Sequence, residues 1–179
     1  MVIEVLSKPP AVIVNGLRIE TAPPVADLLR VIGTPTRVDT GSRPAPTGFR
    51  NNQLHVFDPL GVYVNEHHHT RRAQEIGIAL SAVERRYSFT PVSAFAGDLL
   101  FDGVRVPLRA TDQEFLRQTP WPFKHSLAGL WDHQFDGFSI GIDAVGPRLA
   151  SGRRSKKQFV IEVSISWPHD PNGPPAEGG

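Results

Sequence analysis

The chain has 179 residues, a formal net charge of +1 and no cysteine. The missing thiols exclude a disulfide framework, a thiolate nucleophile and a cysteine-ligated metal. Residues 1–90 hold ten Lys/Arg against eight Asp/Glu, and residues 91–179 hold nine against ten, so neither half is a basic nucleic-acid-binding module. No stretch reaches the ~18 apolar residues of a membrane span. Met1–Pro10 lacks the basic and apolar regions of a signal peptide, so a cytoplasmic protein is expected.

Taken in chain order, Val2–Leu6 is a short apolar run stopped by Pro9-Pro10. Val12–Val14, Asn15-Gly16 and Leu17–Glu20 then form a strong hairpin signal, because a tight primed turn needs φ > 0 and selects Asn-Gly. Pro23-Pro24 opens a short helix, Val25–Ile32, closed by Gly33 and Pro35; Val25, Leu28, Leu29 and Ile32 make its one apolar face. Asp39–Asn52 has no periodicity and reads as a loop. Leu54–Phe57 and Gly61–Val64 read as strands around an Asp58-Pro59 turn, Glu66–Arg72 as a polar connection, and Glu75–Val83 as a third strand.

The second half repeats this order. Leu99–Phe101, Asp102-Gly103 and Val104–Leu108 form a hairpin, and Thr111 or Asp112 caps a helix that ends before Pro120 and Pro122. Leu130–Gln134, Phe138–Ile142 and Gln158–Trp167 are strands, the last with apolar and polar residues in strict alternation. Asn15 to Asp102 and Asp27 to Glu114 are both separations of 87 residues. The expected architecture is α+β, with two pseudo-repeats at residues 1–90 and 91–167. Each is a β-hairpin, a short helix and an antiparallel three-stranded meander; the two pack as one compact unit, their sheets free to join into one curved surface. Residues 168–179 form a Gly/Pro-rich tail expected to be disordered.

Glu66 followed by His67, His68 and His69 is the most conspicuous polar cluster. Adjacent side chains in a strand alternate faces, so at most two imidazoles could converge, short of a metal site unless His55 or His133 were brought close. Asp132, His133 and Asp136 lie near Trp131, with Asp58 in the matching part of the first half; each repeated Asp fits a hairpin turn. Arg71-Arg72, Arg85-Arg86 and Arg153-Arg154 with Lys156-Lys157 read as solvated turns, or as contacts to an acidic partner. Walker, dinucleotide, His-Glu-x-x-His and Gly-x-Ser-x-Gly motifs are absent from the sequence. Most aromatics should be core, and Trp121, between Pro120 and Pro122, is the one expected at the surface. The candidate partner-binding set is therefore Trp121, Glu66, His67, Arg71, Arg72, Arg153 and Arg154, with no catalytic residue, cofactor or metal assigned.

The helix, then Gly33-Thr34-Pro35, a polar loop and three strands resembles the unit of bacterial proteins with a beta-lactamase-inhibitor-protein-like fold. The phrase Pro91-x-x-x-Phe95-x-Gly97-x-Leu99-x-x-Asp102-Gly103 is similar to a bacterial family associated with polymorphic and type VI toxins. That resemblance implies an immunity protein that neutralises a cognate toxin by stoichiometric binding, and it carries over no functional residue. Two alternatives stand beside it. One is a metal-dependent hydrolase using Glu66 to His69 with Asp132 and His133; the other is an adaptor domain of a secretion system.

Overall fold

The structure is a computed structural model that describes residues 1–40, 52–81, 90–127, 129–146, 151 and 155–168. The expected tail beyond Pro168 lies outside the described residues. The first half contributes β1 (Val2–Ser7), β2 (Pro10–Val14), β3 (Leu17–Ile19), helix α1 (Val25–Ile32), β4 (Arg37–Thr40), β5 (Gln53–Phe57), β6 (Val62–Glu66) and β7 (Ala73–Ala79). The second contributes β8 (Asp98–Phe101), β9 (Val104–Arg105), helix α2 (Asp112–Gln118), β10 (Lys124–Leu127), β11 (Leu130–Gln134), β12 (Ser139–Val145) and β13 (Phe159–Ser166).

These strands form two sheets. The smaller has the order β3-β2-β1-β8-β9, with β1 antiparallel to β2 and parallel to β8. The larger has the order β10-β11-β12-β13-β7-β6-β5-β4. It consists of two four-strand meanders that meet where β13 pairs antiparallel with β7, Ile165 opposite Ile76 and Val163 opposite Ile78. The expectation of an α+β fold is therefore corrected: the protein is mostly β, with two α-helices of eight and seven residues among the described residues. Two-turn helices cannot form a layer. α1 lies against β2 and α2 against β13, while the sheets bury most of the core against each other.

Local chemistry sets most boundaries. Both hairpins turn on residues with positive φ, Asn15 (47°) with Gly16 (90°) and Asp102 (48°) with Gly103 (78°). Thr111 caps α2 in a reciprocal box, its hydroxyl accepting the Glu114 amide while Glu114 returns a carboxylate to the Thr111 amide. One core spans both sheets. Ile3, Val5, Val12, Val14, Leu99 and Phe101 project from the smaller sheet; Ile76, Ile78, Ile140, Ile142, Val163 and Ile165 project from the larger. The opposite face of the large sheet carries Tyr63, Glu75, Gly77, Glu162, Ser164, Gly141, Asp143 and Asp132, fixed there by the strand register.

Candidate functional site

The Glu66 cluster is an internal support. Glu66 ends β6 on the core face and is 2 % exposed. A carboxylate buried this far must be paired, and two cations or donors converge on it. His55 Nε2 donates to Oε2 at 2.5 Å, and the Arg71 guanidinium reaches Oε1 at 2.5 Å. His67 is also buried, its Nδ1 accepting the Thr70 amide at 3.2 Å, and the turn closes with Arg71 at φ 56°. Arg72 donates to the Ala22 carbonyl at 2.7 Å, while the Arg71 carbonyl accepts the Val25 amide. The segment thus fastens the entrance of α1 to β6 and β7. Glu66 and His67, expected at a partner surface, are corrected to buried structural groups; Arg71 and Arg72 are held by internal acceptors. Only His69 of the three histidines is exposed.

Trp121 is corrected in the same way. Its flanking prolines suggest a surface loop, but it is 8 % exposed and packs on Phe101 and Phe135 at ring separations of 4.7 and 4.9 Å. Its Nε1 donates to Asp102 Oδ2 at 2.7 Å, and the same carboxylate accepts the Ser7 amide and hydroxyl. Arg153 and Arg154 lie outside the described residues.

The hydrolase alternative requires Glu66 to His69 to meet Asp132 and His133. β6 and β11 are separated in the sheet by β7, β13 and β12, four strand spacings or about 19 Å. Asp132 and His133 themselves point to opposite faces, and His133 Nδ1 donates to the Pro122 carbonyl at 2.8 Å. Among the described residues no three His, Asp or Glu side chains are grouped to hold one metal ion.

The polar site that the sequence reading missed lies on the outer face of the large sheet. Tyr63 reaches across Gly77 on the neighbouring strand, and its hydroxyl bonds both Glu75 and Glu162, the latter at 2.9 Å. Gly77 is what makes the crossing possible, since a Cβ there would fall 2.0 Å from the Tyr63 ring. Burial drives the Tyr63 phenol well above its ordinary range, and the charges of Glu75 and Glu162 add to the effect. Burial also raises the Glu75 carboxyl, against an opposing pull from the Tyr63 bond. The phenol stays neutral, and Glu75 holds its proton to higher pH than an exposed glutamate.

Glu162 continues into a cleft of about 340 Å³ running over β11, β12 and β13. Asp132, Asp143 and Glu162 give it three carboxylates, Gly141 and Ser164 form part of its floor, and Thr90 closes one side. Asp143 and Glu162 are directly opposed across the strand pair. Thr90 is 5 % exposed, and its Oγ1 has no hydrogen-bond partner among the described residues. A second cavity of about 490 Å³, bounded by Leu80, Leu108, Ala110 and Phe159, has few polar groups apart from Arg109 and Ser81. The sequence signals for this face were two mid-strand glycines that mark close approach, Gly141 in the cleft and Gly77 under the Tyr63 ring.

Three other carboxylates are perturbed by structural work. Burial acts to raise Asp58, but the bonds from Arg37, the Val92 amide and Thr36, with the Arg37 charge, outweigh it and lower the carboxyl. Asp102 is lowered in the same manner: burial is overcome by the Ser7 and Trp121 bonds. At Glu114 the capping bonds from Thr111 lead and lower the carboxyl. No helix of the described residues is long and apolar enough to cross a membrane. The chain belongs to the family described as a domain of unknown function (DUF7738), whose family model matches residues 4–116. No curated protein and no solved structure matches the chain.

Proposed function

We propose that this family member is a stoichiometric protein-binding protein that neutralises a bacterial toxin in the cytoplasm of the cell that makes it. The observation that carries the binding reading is the outer face of the large sheet. It carries a strand-built cleft lined by Leu130, Trp131 and Ile161 as well as by Ser164 and the carboxylates of Asp132, Asp143 and Glu162. Sites on strands hold their geometry better than sites on loops, which lowers the ordering cost of association. The perturbed carboxylates Asp58, Asp102 and Glu114 are engaged in holding turns, segments and a helix cap, which fits a binder better than an acid–base catalyst. Toxin neutralisation as the specific form rests on the family resemblance of the Pro91–Gly103 phrase.

A second reading, an adaptor that recruits partners by strand addition, is favoured by β10. All four of its residues are exposed, Leu127 by 67 %, and it forms one edge of the large sheet. Affinity separates the two, since a lethal toxin requires a tight inhibitor. Co-expression with the product of the adjacent gene tests the first reading. Rescue of growth together with a one-to-one complex on size exclusion is expected; no rescue and no complex would refute it.

A further inference from the structure

We propose that the outward face of the five-stranded sheet is a contact between two copies of this chain, with Glu4 of each copy met by Arg18 of the other. The inference goes beyond the toxin-binding reading and uses neither the large sheet nor its cleft. β1, β2 and β8 are nearly continuous apolar runs, the pattern of strands covered on both faces. Alternation sends Ile3, Val5, Val12, Val14, Leu99 and Phe101 into the core. It leaves Val2, Leu6, Ile13 and Leu100 pointing outward; Val2 is 42 % exposed and the other three are half-buried.

Glu4 lies at the centre of this face. Val2 and Leu6 flank it along β1, and Ile13 and Leu100 flank it on the neighbouring strands. Its carboxylate is half-buried among these four aliphatic side chains and has no hydrogen bond or ion pair among the described residues. Covering the face strips away the water that remains, so the surface that covers it must bring a cation.

The strand register supplies that cation from a second copy. Ile13 stands opposite Glu4 on one side and opposite Arg18 on the other. The acid and the base therefore lie one strand spacing, about 4.8 Å, to either side of Ile13. A two-fold axis running along β2 over Ile13 exchanges them, so that Ile13 meets its own copy and each Glu4 meets Arg18 of the second copy. β2 has no charged residue to repel its copy. An axis over Leu100 would instead bring Arg105 to Glu4, but it would set Asp98, on the same face of β8, against itself. Within the chain Arg18 bonds Glu20, and the two side chains are 40 and 64 % exposed. Exposed pairs of this kind hold weakly, which leaves Arg18 able to turn to a carboxylate in a drier place.

The test is analytical ultracentrifugation of the full chain. Wild type is expected to sediment as a dimer of the 19.7 kDa chain at about 10–100 µM. Ile13→Lys, Glu4→Arg and Arg18→Glu should each weaken dimerisation about tenfold or more, and Arg105→Gln should leave it unchanged. In a mixture of E4R and R18E chains every contact is again acid against base, so a heterodimer should form with an affinity within about threefold of wild type. Misfolding of either variant could not produce that rescue, and unaltered circular dichroism spectra check the folds. A wild type that is monomeric at about 100 µM, unaltered dimerisation in E4R and R18E, or no heterodimer from the folded variants would each overturn the proposal. If wild type is monomeric while E4R and R18E lose the product of the adjacent gene, the face belongs to the toxin: the self-contact falls and the binding reading stands. If the dimer forms but the co-expression test shows no rescue, the self-contact stands and the neutralising reading falls.

Discussion

Replacing Asp58 with asparagine should destabilise the protein by an amount that depends on pH. The Asp58 carboxylate takes three bonds from two other parts of the chain: Arg37 Nε on β4 at 3.0 Å and the adjacent Thr36 hydroxyl at 3.0 Å, and the Val92 amide at 2.8 Å. An asparagine can still accept from Val92, so that bond survives. The bond from Arg37 loses its ionic character, and the new amide group faces a donor. Charge-assisted bonds are worth about 1.5–3 kcal/mol each. The Arg37 side chain is 34 % exposed and can turn to water, so a net loss of about 1–2 kcal/mol is expected at pH 7. The carboxyl is lowered in the folded state, so its stabilising contribution is present above the unfolded pKa of about 3.9. It is lost as pH falls through the lower folded value. Urea denaturation of wild type and D58N at pH 7, 5 and 3 should show a constant gap at the first two and a narrowing gap at the third. A gap of unchanged size at pH 3, or none at pH 7, would refute the reasoning.

Two further substitutions probe the outer face. Gly77→Ala places a methyl 2.0 Å from a Tyr63 ring that is 3 % exposed and held by two carboxylates, so the ring cannot step aside. Overpacking of this kind costs about 1–3 kcal/mol, readable as a lower urea midpoint. Gly141→Ala meets only the rotatable Ser164 hydroxyl and should lose less; equal losses would argue against the rigid-ring account. Glu75→Gln tests the raised carboxyl. A group whose folded pKa is raised stabilises fully below its unfolded value, about 4.3 for glutamate, and that contribution is lost as pH rises through the folded value. The E75Q protein should therefore show a flatter stability profile above pH ~4.3, and parallel profiles for the two proteins would contradict the assignment.

The parts of the fold that are legible in the sequence are those fixed by local chemistry. Asn15-Gly16 and Asp102-Gly103 turn where the φ requirement places them, and α1 occupies Val25–Ile32 because its apolar face and flanking Pro and Gly agree. β13 follows from its alternation. β4 and β10 carry no such signal: Lys124–Leu127 is exposed at every residue and is a strand only because β11 pairs with it. Missing those two strands, and giving two short helices the weight of a layer, produced the α+β expectation. Glu66 and Trp121 were misplaced for a related reason. A glutamate in a polar run, or a tryptophan between prolines, looks exposed until His55, Arg71 and Asp102 arrive from elsewhere in the chain to satisfy them. The cleft was hidden because its carboxylates are distant in sequence and meet only through register.

The pairing of β13 with β7 has a consequence for the nascent chain. β7 ends at Ala79, and its partner begins 80 residues later at Phe159. At a synthesis rate of about 5–20 residues per second, one side of β7 stays uncovered for roughly 4–16 seconds. During that time it is an open template for a neighbouring chain on the same messenger. Glu75 and Gly77 lie on this strand, a charge and a weak strand former, and both discourage mispairing while the edge is bare. The residues that later hold and accommodate Tyr63 thus guard the seam before it closes. A fragment ending at residue 116 would keep β7 without ever gaining β13, and would remain in that vulnerable state.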